Sequence, residues 1–143
     1  MLKKKWLWIV VIVYTFLIFN NSLKTADASN GMSGPLTLFI MRFLSALHIE
    51  TSFHTMHHII RKLAHFSEFF LLSVLVQTAS HYQPITEKHW LPVLLFMFAV
   101  PTCDEFLQLF MDGRAGSLHD VLLDMSGYGT AWLCGYLLQK KKN

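Results

Sequence analysis

Read for apolar and polar positions, the chain alternates long apolar stretches with short polar ones. Residues 6–19, WLWIVVIVYTFLIF, follow Lys3, Lys4 and Lys5 and predict an apolar helix, with Trp6 and Trp8 as interfacial anchors. Residues 20–34 are polar, broken by Gly31, Ser33 and Gly34, and read as a loop. Pro35 suits the first turn of a short helix over 36–49, which carries Arg42 and His48. That helix is too short to cross a bilayer and is expected to be interfacial or re-entrant.

Thr51 or Ser52 can cap a helix over about 53–81. At about 100° per residue, His54, His58, Arg61, His65 and Glu68 share one arc of it, and nearly continuous apolar sequence follows at 69–79. A polar loop at 81–89 precedes an apolar helix over 90–111, with Pro92 near its start and Pro101 well inside, where a kink is expected. The turn at 112–116 leads to Ser117, a plausible cap for a last helix to about residue 138. The predicted fold is all-α: one polytopic membrane domain over 1–143, with four transmembrane helices plus the interfacial or re-entrant one.

Composition supports a membrane rather than a soluble reading. Of 143 residues, 53% are hydrophobic and only 15% charged, too apolar for an ordinary soluble domain. The formal charge of +3 does not indicate nucleic acid, because half of the twelve basic residues sit in the two terminal runs, at 3–5 and 140–142. Both runs and Lys88 fit a cell-membrane protein with cytoplasmic termini. Ala26, Asp27 and Ala28 also offer a leader-cleavage pattern; either outcome places the next segment outside. Cys103 and Cys134 lie in apolar runs and read as packing residues.

Charge changes the picture most between residues 61 and 124. Arg61, Lys62, His65 and Glu68 open the second span, Asp104, Glu105 and Gln108 close the third, and Asp120 and Asp124 open the fourth, with Arg114 in the turn between. At about 1.5 Å per residue these fall in one layer near the outer boundary. A charge at bilayer depth costs at least about 2.5 kcal/mol and normally faces the bundle interior. Asp104 and Gln108 share a helix face. Asp120 and Asp124 share another with Gly127, Ala131 and Gly135, a small-residue stripe that favours close packing in lipid. Five carboxylates against three cations predict that a carboxyl, or His65 or His119, keeps a proton. Such clusters serve acid–base chemistry, and an ion network that only orients helices is the plainer reading. No sharp metal spacing, phosphate loop, nucleophile elbow or Cys-x-x-Cys motif occurs, so no metal or cofactor is expected. His54, His57 and His58, or His65 with acids, are the metal alternatives.

The segments RKLAHFSEF at 61–69, DEFLQ at 104–108, Gly113-Arg114 and DVLLDMSG at 120–127 resemble the VanZ-like membrane protein family over about 61–138. The resemblance carries over to Arg61, Lys62, His65, Glu68, Asp104, Glu105, Gln108, Arg114, Asp120 and Gly127. Phe69 stands where tyrosine is common, and Asp124 where asparagine is usual, which adds a charge. The resemblance implies a bacterial cell-envelope protein, with members linked to low-level resistance to teicoplanin-type glycopeptides. The expected partners are membrane lipids and an amphiphile or lipid-linked wall precursor. Its headgroup is held by Arg61, Lys62, Gln108, Arg114 and Asp124, with protons moved by His65, Glu68, Asp104, Glu105 and Asp120. A non-catalytic binder or small transporter with a proton or cation relay is the alternative, and a scaffold the third.

Overall fold

A computed structural model describes residues 5–140; the basic runs at the two ends fall largely outside them. Five helices follow in order: α1 (Trp6–Ser22), α2 (Ala26–Ala46), α3 (Phe53–Tyr82), α4 (Trp90–Gln108) and α5 (Leu118–Lys140). There is no strand among the described residues.

α1 and α3 run antiparallel, tied at both ends. Near one end the Leu7 amide donates to Gln83 Oε1 at 2.9 Å and the Trp8 indole to the Gln83 carbonyl at 2.6 Å. Near the other, Asn21 Nδ2 donates to Glu68 Oε1 at 3.1 Å. The first turns of α3 therefore extend past α1, and α2 packs on them, with Ser33 Oγ 2.7 Å from His57 Nε2.

Residues 20–34 correct the sequence reading. α1 continues through Ser22, and the chain then bends by 105° into α2, which starts at Ala26 rather than beyond Pro35. The Thr25 side chain accepts from the Ala28 amide and Asp27 lies in the first turn, a start signal upstream of the proline. Gly31, Gly34 and Pro35 sit inside the helix at a propensity cost that contacts with α3 offset. The other boundaries fall close to those expected, with Ser52 capping α3 through the Thr55 amide.

The apolar core joins Trp8, Val11 and Ile18 of α1 to Phe69, Leu72, Val76 and Ala79 of α3, Val93 and Val100 of α4, and Tyr128 of α5. Phe69 is fully buried there, so the hydroxyl it lacks would have entered an apolar environment. The small-residue face of α5 meets α3 as the spacing predicts: a Cβ on Gly127 would collide with the Phe66 carbonyl, and one on Gly135 with the Gln77 side chain. The outer faces of the helices carry many apolar side chains. Ile9, Ile12, Val13 and Phe16 of α1 and Leu94, Leu95, Phe98 and Phe106 of α4 are exposed. Cys103 and Cys134 belong to this exterior and not to the packed interior; both are free and exposed, which corrects their assignment as packing residues.

Of the described helices, α4 by itself is long and apolar enough to cross a bilayer, and the bent pair α1 and α2 meets the same measure taken together. α3 and α5 are long enough, at 30 and 23 residues, but carry polar residues on their faces toward the site.

Candidate functional site

Where α1 and α4 end and α5 begins, the interior changes from apolar to acidic. Asp104, Glu105, Gln108 and Asp124 are buried there, and Asp124 is completely enclosed. One ligand atom from each of His65, Asp104, Glu105 and Asp124 lies within 4.8 Å of the others. Three helices thus deliver side chains to one layer, as helix depth and phase predict.

Each carboxylate has its own surroundings. Asp104 is the best supported: Ser22 Oγ donates to Oδ1 at 2.6 Å and Gln108 Nε2 to Oδ2 at 3.1 Å, one turn away on the same face. Glu105 accepts from the Ser117 amide at 2.8 Å through Oε2, while its Oε1 has no hydrogen-bond partner. That contact depends on Gly116, where a Cβ would lie 2.6 Å from the Glu105 carbonyl; only glycine lets the turn settle on α4. Neither oxygen of Asp124 has a hydrogen-bond partner. His65 Nδ1 is 3.4 Å from Asp124 Oδ1, close enough for an ion pair but without hydrogen-bond geometry.

Around this acidic centre lies a basic rim. Lys62 pairs with Asp120 on partly exposed side chains, which sets Asp120 apart from the buried acids. Arg61 donates weakly to Asn30 Oδ1 at 3.4 Å. Burial, and next the charge of Arg61, pulls the Arg114 guanidinium below its ordinary pKa; an arginine nevertheless stays protonated. Arg61 and Arg114 crowd one rim, and the charges of Asp104, Glu105 and Glu68 offset part of their repulsion.

Two cavities of about 200 Å³ each meet at this rim, and Arg61, His65 and Arg114 line both. The first lies between α1, α2 and α3, with Lys24 and Glu68 on its polar side and Met32, Leu36 and Ile60 on its apolar side. The second adds Lys62, Gln108 and Asp120. Every residue singled out in the sequence thus lies in the acidic centre or on its rim. Of the other histidines, His58 is exposed but also lines the second cavity, His54 and His119 are exposed, and His57 contacts Ser33.

Sequence reasoning missed the contribution of α1. Asn21 and Ser22 bond Glu68 and Asp104, and Lys24 lines the first cavity after donating to Asn21 Oδ1 at 2.8 Å. The signal was present: Asn20, Asn21 and Ser22 end an apolar run at the depth of the acidic layer, yet they read as loop breakers.

Fold and site together define an all-helical protein with a buried acid–histidine centre under an arginine rim at one end of its bundle. The chain belongs to the VanZ/LLP1 family, whose pattern matches residues 6–139. Comparison with curated proteins and with solved structures finds no significant match.

Proposed function

We propose that this is an integral protein of the bacterial cell membrane that binds the anionic headgroup of an amphiphile, a lipid-linked wall precursor or a phospholipid, and handles protons on it. α1, α3, α4 and α5 are the four spans, α2 lies at the interface, both termini are cytoplasmic and the acidic layer faces outward. Supporting the membrane reading is the inverted distribution of polarity, with Phe16, Leu95 and Phe98 exposed while Asp104 and Asp124 are enclosed.

The carrying observation is that one cavity joins the Arg61–Arg114 rim to an apolar wall of Met32, Leu36 and Ile60. A phosphate or carboxylate suits the guanidinium pair, and the acyl or polyprenyl stem suits the wall. Glu68 and His65 line the same cavity, and Asp104 and Glu105 lie behind it, all four as proton donors and acceptors. Family membership carries the further proposal that the protein lowers susceptibility to teicoplanin-type glycopeptides by this action on the envelope.

Mass spectrometry of envelope lipids, with and without the protein, tests the reading. A headgroup product should appear with the wild type and vanish with His65→Ala or Asp104→Asn, while both variants still accumulate in the membrane. Full product formation by those variants would overturn it.

A further inference from the structure

The acidic centre lacks the positive charge it needs. Three enclosed carboxylates, Asp104, Glu105 and Asp124, face one imidazole, and the ion pairs among the described residues are Lys62–Asp120 and His65–Asp124. No lysine or arginine is paired with the three acids. Carboxylates this close cannot all ionise without a proton or a cation between them.

Hydrogen bonding favours the cation. An ion network built to orient helices should satisfy its members, since each buried orphan atom costs about 1–3 kcal/mol. Here His65 Nδ1, Glu105 Oε1 and both oxygens of Asp124 are buried without partners. Meanwhile Ser22, Gln108 and the Ser117 amide fix Asp104 and Glu105 from outside, as the outer partners of a metal's ligands do.

We infer that His65, Asp104, Glu105 and Asp124 form a binding site for one divalent metal ion. An imidazole with three carboxylates suits Mn2+, Fe2+ or Zn2+ better than a soft ion or a purely oxygen-bound one. A separation of 4.8 Å exceeds the roughly 3.4 Å edge of a tetrahedral zinc site, so each ligand closes by less than about 1 Å. In the sequence His65 with acids stands only as an alternative, because α3, α4 and α5 each supply part of the site, without the short spacing of a helical metal motif. The site goes beyond headgroup binding, which rests on Arg61 and Arg114. With the ion bound, Glu68 and the Lys62-paired Asp120 are the acids of the layer outside the ligand set.

The full chain, purified in detergent, stripped with EDTA and titrated with Mn2+ alone, tests the site by EPR and metal analysis. The wild type should take up about one Mn2+ per chain and unfold at higher temperature when loaded. Asp124→Asn and His65→Gln should weaken binding by more than about 100-fold, because even the outer partners of metal ligands are worth about 10- to 100-fold. Asp27→Asn, an exposed acid of α2, should bind as the wild type does. Pulsed EPR of the loaded wild type should show coupling to an imidazole nitrogen, a readout that needs no variant to fold. The absence of saturable uptake or of nitrogen coupling in the wild type would overturn the site, as would unchanged binding by both ligand variants. Arg61→Ala and Arg114→Ala should lose binding to short-chain phosphatidylglycerol added to the detergent-solubilised protein with Mn2+ uptake intact, so the two proposals fail separately.

Discussion

At the scale of single residues, burial sorts the charged groups into an enclosed centre and a partly exposed rim. Ser22→Ala removes the 2.6 Å donor to an enclosed carboxylate, a hydrogen bond to a charged group. It should cost about 1–3 kcal/mol in thermal unfolding in detergent. Lys62→Ala breaks an ion pair whose side chains are 37% and 31% exposed, so its effect on the same melt should stay below about 1 kcal/mol. If Lys62→Ala proved the more damaging of the two, the division into buried centre and solvated rim would be wrong. The acidic residues and their shared layer were legible in the sequence, because depth along a helix and phase around it are read directly from position. Their partners were less so. Asn21 and Ser22 are ordinary polar residues near a helix end, and only the packing of α1 on α3 and α4 gives them carboxylates to meet.

At the scale of the elements, the α3–α5 contact is what places Asp124 beside His65. Gly127 lies against the Phe66 carbonyl, a backbone atom that cannot swing aside. Gly127→Val should therefore cost about 3 kcal/mol by overpacking and reduce accumulation. Gly129→Ala meets only the Met97 Cε atom at 3.4 Å and should be neutral or stabilising by up to about 1 kcal/mol. Equal melting temperatures for the two variants would remove α5's small-residue face from the account. That face was visible in sequence as Gly127, Ala131 and Gly135 at four-residue spacing. The start of α2 was not, because Gly31, Gly34 and Pro35 are breakers by local propensity. Contacts with the first turns of α3 override that propensity, and a single sequence does not display them.

At the scale of the whole molecule, polarity is arranged from the inside outward: acids enclosed, arginines at a rim, apolar side chains on the exterior. The proposed topology makes a direct prediction. A fluorescent reporter at the C-terminus should be active in the cytoplasm, while a phosphatase inserted at Ala115, in the exposed turn between α4 and α5, should be active outside. The reverse pattern would turn the acidic layer toward the cytoplasm and rule out an outward-facing headgroup site. The order of the helices has a consequence for biogenesis. Asn21, Ser22 and His65 emerge from the ribosome well before Asp104, and Asp124 comes last of all. On the proposed four-span topology, Ser22 and His65 wait during synthesis without Asp104 and Asp124, and α4 enters the bilayer bearing two carboxylates that α5 has yet to enclose. On that topology the half-made chain is the most vulnerable form of this protein. Slowing translation after α4 should expose it to membrane quality control, and the insertion machinery has reason to retain α4 until α5 arrives.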